Sequence, residues 1–239
     1  MANNESLVFV ALDYDSQQRN FNVAKDLTRD VNSDSYGFKI NLDSVADFSA
    51  DAQTPYSFVK SITGLGKPVF VDMKMWNGGR TMENIAKGCA DLGVDILNMY
   101  PHAGGKFVQR VKKSLEGTNT KLFGLTVLTH YTDEDTQRLY GKNVRDTVIM
   151  LGEMNYEFGV DGIVVPGTQL EVVRNFSYLK LCPGIRPSWF EDKKANAQEQ
   201  IVTPKEAISQ GANYLVVGSP ILKSDNPSAA LERILTELN

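Results

Sequence analysis

Short apolar runs alternate with amphipathic stretches along nearly the whole chain. Runs at 7–12, 36–42, 95–99, 121–128, 161–165, 178–181 and 214–217, with one that starts at Val69 and carries Asp72 and Lys74, read as strands buried on both faces. Between them the pattern predicts helices over 16–31, 81–92, 106–115, 133–158, 169–175 and 227–238. A further helical stretch runs to about 63 and is divided at Pro55. Two starts are marked by their caps. Ser16 opens the first helix, and Thr203-Pro204-Lys205-Glu206 combines a capping threonine, a first-turn proline and a capping-box glutamate.

Eight strands alternating with helices over 239 residues match a (β/α)8 TIM barrel, which takes roughly 250 residues. The competitor is a doubly wound open sheet, which commonly carries a glycine fingerprint after its first strand. Asp13-Tyr14-Asp15-Ser16 has no glycine. The expectation is therefore an α/β protein with a single barrel domain over 1–239.

Charged residues fall where these strands leave the core. Asp72 and Lys74 are two apart, so alternation along a strand points them to one face. Taken alone, the pair is equally an ion pair that ends a strand. Asp13, Lys39, Thr129, Arg186 and Gly218 also stand at or just past predicted strand ends, and a barrel builds its active site on that rim. Two lysines and two aspartates in one confined pocket can hold a carboxylate against a bound anion and offer a proton as charge develops. Pro183-Gly184-Ile185-Arg186 and Val217-Gly218-Ser219 follow the seventh and eighth strands, where barrels commonly bind phosphate. Arg186 supplies a bidentate fork and the glycines allow close backbone approach.

Composition narrows the partners. A net charge of −4 gives no global attraction to nucleic acid or anionic membrane. The two cysteines, Cys89 and Cys182, have no CxxC spacing, so neither a disulfide framework nor a zinc site is expected. With no basic leader before an apolar segment and no run of about 18 apolar residues, the expectation is a cytoplasmic, unprocessed protein.

The motifs together resemble those of the orotidine 5'-phosphate decarboxylases, within the suprafamily that includes 3-keto-L-gulonate 6-phosphate decarboxylase and hexulose phosphate synthase. The resemblance rests on Ala11-Leu12-Asp13-Tyr14, Phe38-Lys39, Val71-Asp72-Met73-Lys74 with Thr81 beyond it, Thr126-Val127-Leu128-Thr129, Pro183-Gly184-Ile185-Arg186-Pro187, Val202-Thr203-Pro204 and Val216-Val217-Gly218. It implies conversion of orotidine 5'-monophosphate to uridine 5'-monophosphate and CO2 in pyrimidine biosynthesis, without cofactor or metal, by a homodimer with shared active sites. By this analogy Asp72 lies near the substrate carboxylate, Lys74 protonates C6, and Lys39 holds Asp72 and contacts ribose. Asp13 binds ribose hydroxyls and Thr129 the pyrimidine. Arg186, Gln198 and the Gly218 amide receive phosphate.

Two positions depart from the family pattern. Asn77 stands where the family has an aspartate that reaches into the partner's site, keeping size but losing charge. Ser219 replaces the usual phosphate-clamping arginine and supplies neither fork nor charge; Arg80, Lys193 and Lys194 are the nearby candidates to compensate. Two alternatives stay open on these departures: a divergent member acting on another phosphorylated sugar or nucleotide, and a catalytically silent nucleotide-binding homologue. His102 and Trp76 read as structural, with Trp76 at a dimer contact or barrel rim. Trp189 and Phe190, in the polar loop over 188–200, are expected to pack on the rim rather than stack on a base.

Overall fold

The computed structural model describes residues 7–49, 52–191 and 201–238. Eight parallel strands, β1 (Leu7–Ala11), β2 (Tyr36–Asn41), β3 (Val69–Met75), β4 (Ile96–Met99), β5 (Lys121–Leu125), β6 (Gly162–Val164), β7 (Leu179–Cys182) and β8 (Tyr214–Val217), close into one barrel in chain order. The predicted (β/α)8 architecture is the observed one. Helices α1 (Gln17–Asp30), α2 (Leu42–Val45), α3 (Pro55–Thr63), α4 (Gly79–Asp91), α5 (Gly105–Ser114), α6 (Asp133–Tyr140), α7 (Val144–Glu157), α8 (Pro204–Ser209), α9 (Ser219–Leu222) and α10 (Pro227–Leu238) accompany the strands.

The caps act as the sequence implies. Ser16 accepts from Arg19 N–H at the start of α1, Pro55 is the first residue of α3, and Thr203 with Glu206 forms the capping box of α8. Two predicted helices are corrected. The stretch over 133–158 is two helices because Gly141 takes a left-handed φ of 68°, which closes α6 through its N–H to Gln137 O, and Asn143 then caps α7. The stretch over 169–175 forms two short 3-10 turns, Gly167–Gln169 and Glu171–Val173. β5 also ends at Leu125, three residues before the predicted end.

Alternation sorts each strand into an outer and an inner face. Outward residues such as Val8, Val10, Tyr36, Phe38, Val69 and Val71 join the layer between barrel and helices. The inward set, including Phe9, Phe70, Ile96, Phe123, Leu125, Leu181 and Val216, fills the barrel. Phe9 lies 5.9 Å from the rings of both Phe70 and Tyr214, and Phe123 lies 5.8 Å from Tyr214. This aromatic plug closes the lower barrel. Continuing the same inner faces upward places Asp13 beyond Ala11, Lys39 and Asn41 beyond Gly37, and Asp72 beyond Phe70.

Candidate active site

Above the plug, the C-terminal ends of the strands surround a cavity of about 360 Å³. Asp13, Lys39, Asp72, Lys74, Thr129, Arg186, Gly218 and Ser219 all line it. The seven strand-end residues singled out in the sequence therefore share one rim, and Ser219 joins them.

The four charged residues divide into two clusters. Lys39 is buried to 6% exposure, and its ammonium donates to Asp13 Oδ1 at 2.9 Å and to Asn41 Oδ1 at 2.7 Å. Asn41 Nδ2 completes this cluster by donating to the same Asp13 oxygen at 2.7 Å. In the second cluster Lys74 Nζ donates to Asp72 Oδ2 at 2.7 Å, while Asn98 Nδ2 donates to Asp72 Oδ1 at 2.7 Å. The expectation that Lys39 holds Asp72 is thus corrected. Both oxygens of Asp72 are engaged by Lys74 and Asn98, and the pairing of Ala11 with Lys39 across β1 and β2 brings Asp13 beside the Lys39 ammonium instead.

Asp72 and Lys74 share a side as alternation implies, but the strand between them is irregular. Lys74 has φ 46°, and it is the non-glycine residue with positive φ among the described residues. The pairing of β3 with β4 shifts between Val71 and Met75. A lysine in the left-handed region carries backbone strain, and such strain gathers at functional positions.

At the other side of the cavity, Gly184 takes φ 77° in the turn that presents Arg186, and Arg186 N–H donates to Val202 O at 3.0 Å. A residue with a Cβ would be strained at that turn. The Arg186 guanidinium lies 5.4 Å from the Phe190 ring. Trp189 faces away from the cavity: its Nε1 donates to Glu237 at 2.7 Å and Arg233 stacks 4.5 Å from its ring, both on α10. Trp189 thus packs on the outer helix layer, whereas Phe190 lies beside the Arg186 guanidinium. Gly218 and Ser219 lead from β8 into α9 beside Asp13.

Asn77 and Thr81 do not line this cavity. Asn77 is exposed in the turn after β3, where its Oδ1 accepts Gly78 N–H at 2.7 Å, and Thr81 lies in the first turn of α4. Arg80 is exposed and also lies outside the cavity lining. Gln198, Lys193 and Lys194 fall outside the described residues.

His102 belongs to an aromatic cluster with Trp76, Tyr100 and Tyr140, at ring separations of 5.5 to 5.8 Å from each. Its buried Nδ1 has no hydrogen-bond partner among the described residues, and burial lowers its pKa. Trp76 remains 67% exposed at the edge of this cluster. Cys89 and Cys182 are free and buried, and burial pushes their thiols up to about 11 and about 12. No helix among the described residues is long and apolar enough to cross a membrane.

Asn41 and Asn98 were missed in the sequence. Each carried a signal: Asn41 is two residues beyond Lys39 on the same strand face, and Asn98 interrupts the apolar run of β4.

Comparison with known proteins places this geometry in a family. Residues 6–234 match the model of the Orotidine 5'-phosphate decarboxylase / HUMPS family. An orotidine 5'-phosphate decarboxylase from Nautilia profundicola is 30% identical over 234 residues, covering 96% of this chain and 97% of that protein. One from Pseudoalteromonas translucida is 32% identical over 231 residues, covering 94% and 93%. The crystal structure of orotidine 5'-phosphate decarboxylase from Lactobacillus acidophilus superposes with a TM-score of 0.77 at 27% identity, covering 98% of this chain and 99% of that one. The Methanocaldococcus jannaschii enzyme, complexed with inhibitor BMP, gives a TM-score of 0.74 over 98% of each chain; at 22% identity it speaks to the fold alone.

Proposed function

The chain belongs to the orotidine 5'-phosphate decarboxylase / HUMPS family, and on that premise we propose that it decarboxylates orotidine 5'-monophosphate to uridine 5'-monophosphate in pyrimidine biosynthesis. The observation that carries this reading is one cavity with the Asp72–Lys74 pair at one side and Arg186, Gly218 and Ser219 at another. That spread suits a nucleotide whose phosphate is remote from its reacting carbon.

In this reading Arg186 and the Gly218 backbone receive the phosphate, and Gln198, outside the described residues, joins them by the family resemblance. Asp13 and Lys39 bind the ribose hydroxyls, and Thr129 contacts the pyrimidine. The substrate carboxylate then lies beside Asp72. Like charges in a water-poor pocket raise the energy of the bound acid, and binding energy from the distant phosphate offsets that cost. When the C6–carboxylate bond breaks, CO2 leaves and its electron pair stays at C6. The Lys74 ammonium stabilises that charge and transfers its proton to C6. Solvent returns a proton to the amine.

The site is completed by a second copy. Asn77 and Thr81 lie outside the lining of their own cavity, in a surface turn and the adjoining first turn of α4, which suits a homodimer in which they reach the partner's substrate. This is a cytoplasmic enzyme of the nucleotide pool, and the reaction calls on neither nucleic acid nor membrane.

The departures set two tests. Asn77→Asp restores a charge near the substrate carboxylate and should raise kcat about tenfold, roughly the 1.4 kcal/mol expected of one added repulsion in a confined site. An unchanged or lower rate means the network has been rebuilt around asparagine. Ser219→Arg adds a charge-assisted fork at the phosphate, a contribution of about 1.5 to 3 kcal/mol. It should lower KM roughly tenfold or more; a higher KM shows that another cation already occupies that place.

The reading as a whole is tested by following orotidylate absorbance with purified protein, with and without a chelator. Turnover that survives chelation and yields uridylate supports it. Orotidylate left unchanged while 6-hydroxyuridylate binds tightly identifies a silent relative, and turnover that requires Mg2+ points to the keto-gulonate-like branch.

A further inference from the structure

β4 is buried throughout, and Asn98 is its polar residue, with no exposed surface. A buried amide must find its partners inside the protein. Asn98 finds them at two points of one neighbouring strand. Its Nδ2 donates to Asp72 Oδ1 and its Oδ1 accepts the backbone N–H of Lys74, each at 2.7 Å. The Lys74 ammonium closes the circuit on the other Asp72 oxygen at 2.7 Å.

The second of these bonds falls where the sheet is irregular. β3 and β4 lose register between Val71 and Met75, and Lys74 is held at φ 46° inside that gap. A side-chain carbonyl from β4 thus takes the N–H of the strained lysine. The first bond fixes the plane of the carboxylate and leaves its second oxygen to the ammonium. Asn98 does not line the cavity.

We propose that Asn98 is a positioning residue that clamps Asp72 and Lys74 together from behind, setting both the acid and the proton donor against the substrate without touching it. The proposal rests on the decarboxylase reading for its substrate. It predicts a loss confined to the reacting end of the ligand, because ribose and phosphate are held by other residues.

The test compares Asn98→Asp and Asn98→Ala with the wild type in orotidylate turnover and in binding of uridylate and 6-hydroxyuridylate. Asn98→Asp keeps an acceptor for the Lys74 N–H but replaces the donor to Asp72 with a second carboxyl. Its kcat should fall about 100-fold at neutral pH, with uridylate affinity within about threefold of wild type and 6-hydroxyuridylate weakened alongside kcat. Lowering the pH should then narrow the gap to wild type, because two adjoining carboxyls share a proton that supplies the lost donor. The other charged groups of this cavity include Lys74 of β3, which bonds Asp72, and the Lys39–Asp13 pair of the second cluster, and Tyr100 follows β4. Burial and the nearby Tyr131, Tyr140 and Asp72 push the Tyr100 hydroxyl up to about 12, so it keeps its proton throughout. Asn98→Ala loses both bonds, should fall about 1,000-fold in kcat, and should show no recovery in acid.

A kcat within threefold of wild type in either variant overturns the proposal. So does a parallel loss of uridylate affinity, which marks general damage, or the absence of acid recovery in Asn98→Asp. A measurement on the wild type covers variants that fail to fold: the Asn98 side-chain amide signals should shift on binding 6-hydroxyuridylate and stay in place with uridylate. Equal shifts, or none, overturn the clamp. Wild-type turnover tests the decarboxylase reading alone, whereas the ratios between variants and between the two ligands test only Asn98.

Discussion

Lys74→Ala should reduce kcat by about 10⁴-fold or more while leaving uridylate affinity within a few-fold of wild type. General-acid transfer alone contributes roughly 10² to 10⁴, and the lysine also supplies the positive charge opposite the carbanion, an electrostatic contribution of similar size. Both disappear in alanine. Uridylate binding survives because Asp13, Lys39 and Arg186, which hold ribose and phosphate in this account, are untouched. The variant also leaves Asp72 with the Asn98 amide as its remaining partner, so 6-hydroxyuridylate, anionic at the reacting position, should bind far more weakly. The check is a single-turnover assay alongside calorimetric titration of the two nucleotides. Near-normal turnover in this variant removes the mechanism.

Asp72→Asn should lower kcat by about 10³-fold and, unlike Lys74→Ala, should tighten binding of orotidylate itself. The carboxylate works against the bound substrate and in favour of the state in which the substrate's own charge has left as CO2. Removing it relieves the ground state and forfeits that difference, and a fall in kcat accompanied by a fall in KM is the signature of lost ground-state strain. The asparagine still accepts from Lys74, so the lysine stays near its place. Steady-state kinetics and equilibrium binding of orotidylate measure both quantities. A rise in KM that accompanies the loss of kcat would assign Asp72 to ordinary substrate binding.

The frame of the barrel was legible because buried parallel strands write themselves as apolar runs, and the ends of those runs carried Asp13, Lys39 and Asp72 to one rim. Capping chemistry was equally local, and Ser16 and Thr203 act as their neighbours imply. What escaped was set by pairing between strands. Nothing in Asp72-Met73-Lys74 announces the slip against β4 or the left-handed lysine, because a bulge depends on what the neighbouring strand offers. Asn98 and Asn41 were visible only as polar residues on inner faces; their roles appear once β1 to β4 are side by side. Lys39 was assigned to Asp72 by analogy, yet the register of β1 with β2 brings Asp13 beside its ammonium, which bonds Asp13 and Asn41 instead. The break at Gly141 was present in the sequence as a glycine followed by a capping asparagine, and apolar periodicity across 133–158 masked it.

The central claim is that one cavity holds phosphate at Arg186 and Gly218 and the reacting carbon at the Asp72–Lys74 pair. A crystal structure with 6-hydroxyuridylate bound tests it most directly. The account predicts the phosphate oxygens within hydrogen-bond distance of the Arg186 guanidinium and the Gly218 N–H, with the 6-oxygen on Lys74 Nζ. A nucleotide bound with its phosphate elsewhere, or with its 6-oxygen away from Lys74, would contradict it.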